Sequence, residues 1–168
     1  MGLRVAVLVF IRSIIFYMKN LLFLFACLLF ALASTANPYK PTVQDLKDAQ
    51  TKISQSYIAE KIALKPTKTE NIFEVFCGAK LLGKVYFRIL APHGEDFTYF
   101  ALLNSNRTVL SFGVLMYDCS TGQEVTTAKW GKRLIGKKAK SLSIGTDVDA
   151  VSGGTMSVEA ILEDLELL

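Results

Sequence analysis

A carboxylate, three hydroxyls and a pair of glycines crowd together near the end of the chain, in Asp149, Ser152, Gly153, Gly154, Thr155, Met156 and Ser157. Two adjacent glycines let consecutive backbone N–H groups converge without Cβ interference. Directly after them Val158, Ile161, Leu162 and Leu165 recur at helical spacing, which predicts an amphipathic helix opening from a hydroxyl-rich turn. The first turn of a helix carries unpaired donors and the positive end of its dipole, so a phosphate would sit there readily. The plainer alternative is structural. Ser and Thr are ordinary helix caps, and on that reading Thr155 is simply a cap.

The same residues resemble the attachment motif of the FMN-binding domain family, found in covalently flavinylated subunits of sodium-translocating quinone reductase and related electron-transport complexes. That motif runs Asp, two variable residues, Ser or Thr, Gly, Ala, Thr. The chain matches it at Asp149, Ser152, Gly153 and Thr155, with Gly154 where the family has Ala. In the family a dedicated FAD:protein FMN transferase joins the FMN phosphate to the last Thr of the motif. The resemblance therefore implies Thr155 as the covalent FMN acceptor, with Asp149, Ser152, Gly153, Gly154, Met156 and Ser157 around the cofactor. It extends from about Ile72 to Leu165 through the order of hairpins, a Gly-Gln-Glu loop and a Trp-containing helix. Ser120 to Glu124 occupies the place of a glycine loop that lines the flavin pocket in that family, although its Thr-Pro-Gly-Leu-Gly form is absent. Thr121, Gly122 and Glu124 are carried over from it.

Periodicity gives the helices and strands around this turn. Pro41, Thr42 and Asp45 mark a helix start, and Val43, Leu46, Ala49, Ile53 and Tyr57 form one apolar stripe behind it. Lys65, Pro66 and Thr67 read as a break. Strands are expected over Asn71 to Cys77, Leu82 to Leu90, Phe97 to Asn104 and Thr108 to Asp118, with turns at Gly78 to Lys80 and Ser105 to Arg107. Trp130, Leu134 and Ile135 are expected to anchor a surface helix that Gly136 ends. Gly131 to Lys138 has the spacing of a phosphate-binding P-loop, but Lys138 stands where that loop needs Ser or Thr and no buried strand precedes it. The expected fold class is α+β, a small antiparallel sheet with flanking helices. Its expected organisation is a leader over residues 1–36, a helix and linker over 37–70, and an FMN-binding domain over 71–168.

The leader is apolar with sparse positive charge. From Met18 it reads as a secretory signal, with Lys19 as the charged start, Leu21 to Leu32 as the apolar centre and Ser34, Thr35, Ala36 before the cleavage point. If Met18 is not the true start, a longer uncleaved anchor is the alternative. The apolar centre is shorter than the roughly 20 residues that a membrane span needs. Export permits a disulfide between Cys77 and Cys119, yet both lie in apolar runs where buried free thiols are equally common.

Charge excludes more than it suggests. Net charge is +4, but Arg4, Arg12 and Lys19 lie in the leader and the remaining basic residues nearly balance the acids, so no nucleic-acid partner is indicated. Lys129, Lys132, Arg133, Lys137, Lys138 and Lys140 form a basic block, and Asp147 to Glu166 an acidic one. Each reads first as a solvated face. A basic block beside a flavin would favour its anionic reduced forms. His93 is the only histidine, so metal sites and triads built on it lack partners. No acid, base or nucleophile set for a substrate of its own can be read from the chain, and the resemblance implies an exported electron carrier rather than an enzyme. The resemblance implies a membrane electron donor and an exported redox acceptor, on the periplasmic side or outer face of the cytoplasmic membrane. A flavin-free exported binding module and a flavin-dependent reductase of a small substrate are the alternatives.

Overall fold

A computed structural model describes residues 39–57, 61–140 and 142–168. The leader readings lie outside these residues. Among the described residues no helix is long and apolar enough to cross a membrane.

Helix α1 (Val43–Ser54) starts where the sequence predicts. Thr42 accepts a hydrogen bond from the Asp45 N–H, and the Asp45 carboxylate accepts one from the Thr42 N–H at 2.8 Å, a reciprocal capping box. Ala49 and Ile53 are buried and Leu46 and Tyr57 half-buried against the sheet. Val43, expected in the stripe, is 70% exposed, so the buried part of the stripe begins at Leu46.

Five strands follow, β1 (Ile62–Pro66), β2 (Ile72–Cys77), β3 (Lys80–Leu90), β4 (Phe97–Leu103) and β5 (Val109–Tyr117), hydrogen-bonded in chain order and antiparallel throughout. The fold is α+β, an antiparallel sheet with flanking helices, as expected. Strand β1 corrects the expected break at Lys65 to Thr67. Pro66 is tolerated because β1 is an edge strand and Pro66 is its last residue, where a missing N–H costs least. Segment 37–70 thus supplies α1 and β1 to the same compact unit, Pro38–Leu168.

All seven residues of β4 are buried, so this strand is covered on both faces. Phe97, Tyr99, Ala101 and Leu103 join one apolar cluster with the C-terminal helices. Phe100 and Leu102 point the other way, into a cluster with Ala49 and Ile53. Cys119 belongs to the first cluster and Cys77 to the second, and no disulfide joins them.

Beyond β5, a 3-10 turn (Gln123–Thr126) leads into the single-turn α2 (Ala128–Gly131). The expected surface helix is therefore shorter and continues as turns to Gly136, whose φ of 84° ends it. Trp130 is buried edge-on to Phe112, with ring centroids 5.7 Å apart, and Leu134 is buried with it. Ile135 is 40% exposed, so it anchors nothing. The final helix α3 (Thr155–Leu167) buries Val158, Ile161, Leu162 and Leu165, the four positions read from the sequence.

Candidate functional site

The site is built where α3 begins. Its N-cap is Gly154, without a side-chain capping bond, and its first turn holds no acid. Neither Ser152 nor Thr155 is the cap, which overturns the ordinary capping reading of this turn. The helical ladder starts with the Val158 N–H donating to the Gly154 carbonyl at 3.0 Å, so the N–H groups of Thr155, Met156 and Ser157 stand ahead of it. Thr155 is exposed, and its Oγ1 makes only a long 3.5 Å contact to the Val151 carbonyl. A hydroxyl held only by this long bond therefore sits on a helix N-terminus that no side chain caps and no first-turn acid neutralises.

A second loop holds this turn. Gly122, at φ 80°, lets the chain after β5 fold back in a left-handed conformation, and the Thr121 hydroxyl donates to the Gly153 carbonyl at 2.6 Å. The two loops meet glycine to glycine. A Cβ on Gly122 would lie 2.5 Å from the Gly154 Cα, and one on Gly154 would lie 2.9 Å from the Gly122 Cα and 3.0 Å from a Val151 methyl. Gly154, which stands where the motif resembled in sequence has Ala, is thus what this packing requires.

Tyr117, which the sequence reading did not single out, ties the loops together. Its hydroxyl donates to the Thr121 carbonyl at 2.9 Å and lies 3.0 Å from the Ser157 Oγ. Burial pushes the phenol's pKa up, against the opposing pull of the Ser157 bond, so it stays a neutral donor. Beside this junction is a hollow of about 260 Å3 walled by Pro92, Glu95, Cys119, Thr121, Gly153, Met156 and Ser157. Met156 is 48% exposed on its rim.

The structure therefore brings together Ser152, Gly153, Gly154, Thr155, Met156, Ser157, Thr121 and Gly122. Ser157 is buried and Ser152 exposed. Of the residues brought together, Thr121, Gly153, Met156 and Ser157 line the hollow itself, and two expected residues stand outside the group. Asp149 is paired with Arg133, and Glu124 lies in the 3-10 turn, where its carbonyl accepts from the Thr127 hydroxyl at 2.7 Å. The charged blocks also answer each other. Lys137 pairs with Asp147 at 3.0 Å, which with two bonds from Ser143 holds that carboxyl below its usual range. Lys132 lines a different cleft. Of the basic block, Arg133 and Lys137 are thus taken up in ion pairs and Lys132 in another cleft, while Lys138 donates to the Asn106 carbonyl at 2.8 Å.

Helix α3 is fixed from its far end by Asp164, a buried carboxylate. Arg88 Nε donates to it at 2.8 Å and the Tyr99 hydroxyl at 2.5 Å. Burial, then the neighbouring carboxylate, pushes the Tyr99 phenol well above its ordinary value, so it too remains a donor. Nothing in the sequence pattern distinguishes Asp164 from its exposed acidic neighbours.

No protein-family model matches the chain, and comparison with curated proteins gives no match. Its structure is similar to the crystal structure of Shewanella oneidensis NqrC, at 20% sequence identity and a TM-score of 0.49, over 62% of this chain and 62% of that one. The chain thus spans less than two thirds of that neighbour's length.

Proposed function

We propose that this chain is an exported electron-transfer protein that carries FMN phosphoester-linked to Thr155. The observation that carries the reading is the start of α3, where an exposed Thr hydroxyl stands on a helix N-terminus that no side chain caps. An ordinary capping turn would use its hydroxyls on its own N–H groups, and this one leaves them free for an external anion. The residues present fit a phosphate, since donors, dipole and acceptor oxygen coincide and no first-turn acid opposes them.

In the attachment step the Thr155 oxygen bonds to the FMN phosphorus of FAD, the pyrophosphate bond breaks, AMP leaves, and the hydroxyl proton goes to solvent. The FAD:protein FMN transferase supplies that catalysis. Once bound, the flavin supplies one- and two-electron chemistry. The chain's own part is positional. The N–H groups of Thr155, Met156 and Ser157 face the remaining phosphate charge, the Thr121 to Gly153 bond fixes the turn, and the hollow beside Met156 and Cys119 offers a wall for the ring. Covalent linkage answers the export read from residues 1–36, because a reversibly bound cofactor made inside the cell would be lost outside it. A membrane donor and an exported acceptor complete the proposal.

The test is co-expression with an FMN transferase, followed by acid denaturation and washing. Yellow colour that stays with the wild-type chain and is lost in Thr155→Ala is the expected result. Colour that washes out of the wild type would leave at most reversible binding.

A further inference from the structure

Away from the Thr155 turn the fold encloses a second cleft, of about 310 Å3, where the end of α1 crosses the outer strand β5 and meets the segment after Gly122. Its walls combine Ser111, Phe112, Val114 and Ile135 with two lysines, Lys52 and Lys132, and no acidic residue lines it. Lys52 is laid across β5 at Gly113. A Cβ there would come within 3.0 Å of the Lys52 Cδ and 2.7 Å of the Phe100 ring, so the glycine makes the room. The Lys52 ammonium donates to the Val114 carbonyl at 2.8 Å, which uses one of its three N–H groups. Among the described residues no carboxylate is within ion-pair distance of it. Burial lowers its pKa, with Asp48 opposing weakly from the preceding turn.

A lysine on a sheet edge can serve simply to block pairing with another strand. That role needs one lysine and no cavity. Here a second lysine shares an acid-free cleft, and the volume lies at the lower end of ligand sites, which suits a compact guest. We propose that this cleft binds a small organic anion, an aromatic carboxylate of one or two rings, with the carboxylate on Lys52 and Lys132 and the ring against Phe112, Val114 and Ile135. The site is separate from the Thr155 turn and does not depend on the flavin reading.

The probe is 2-naphthoate, titrated into isotopically labelled protein and followed by amide shifts. Saturable shifts at Gly113, Val125 and Thr127, with Thr121 and Met156 unmoved, are expected. Lys132→Glu should weaken binding about tenfold, the loss of one charge-assisted hydrogen bond, and Lys132 is exposed, so the fold will tolerate it. Lys52→Met keeps the stem over Gly113 and should weaken binding at least as much. Shifts centred on Thr121 and Met156, unchanged affinity in Lys132→Glu, or no saturation at millimolar probe would each overturn the proposal and leave Lys52 as an edge guard.

Discussion

Single residues decide whether the start of α3 can take a phosphate: the Thr155 hydroxyl is held by only one long bond, and two glycines touch beneath it. Thr155 was legible because a hydroxyl, paired glycines and a helical stripe follow one another in the sequence. Its freedom from capping was not, since the same string serves equally well as a cap until the backbone is placed. The reason for Gly154 was hidden too, because its neighbour Gly122 is remote in sequence and comes near only through β5 and α3. This contact predicts that Gly154→Ala, although it completes the family motif, destabilises the protein by about 1–3 kcal/mol through overpacking against the Gly122 backbone. Gly122→Ala should cost more, since the strain of a positive φ adds about 1–2 kcal/mol to the same clash. Urea midpoints at unchanged m-value would measure both, and a Gly154→Ala protein as stable as wild type would contradict the glycine-to-glycine contact.

At the scale of elements, β5 decides what the site contains. Its pairing with β4 slips twice, between Thr98 and Tyr99 and between Leu102 and Leu103, so β5 carries extra residues at Leu115 and Leu110. The bulge at Leu115 puts Val114 and Tyr117 on the same face, whereas simple alternation would oppose them. This is why a period-two reading of the strand could not aim Tyr117 at the Thr155 turn. Strand β1 was missed because Pro66 signals a break unless one knows the strand is an edge. The stripe of α3, by contrast, was fully readable, because it depends only on local spacing. What the stripe could not show is how α3 is held along its axis. Arg88 and Tyr99 hold it through Asp164, so Arg88→Leu should cost roughly 2 kcal/mol by leaving a buried carboxylate short of its charged donor. Tyr99→Phe should cost about 1 kcal/mol through the loss of one hydrogen bond. Thermal unfolding would rank them, and an Arg88→Leu protein within error of wild type would show that Asp164 does not need its partner.

For the whole molecule, the sheet does one job with each face. One face packs α1 through Ala49 and Ile53, and the other carries α3, whose first turn is the proposed attachment point. The charged blocks that might have surrounded a flavin instead pair as Arg133 with Asp149 and Lys137 with Asp147, leaving the proposed phosphate position to backbone donors. The proposed function rests on one hydroxyl, Thr155, accepting one FMN. The intact mass of the protein made together with an FMN transferase, beside that of Thr155→Ala, measures it most directly. A gain of one FMN less water in the wild type and none in the variant is the predicted result. The same gain in Thr155→Ala would place the linkage elsewhere, and no gain in either would return the start of α3 to a turn without cofactor.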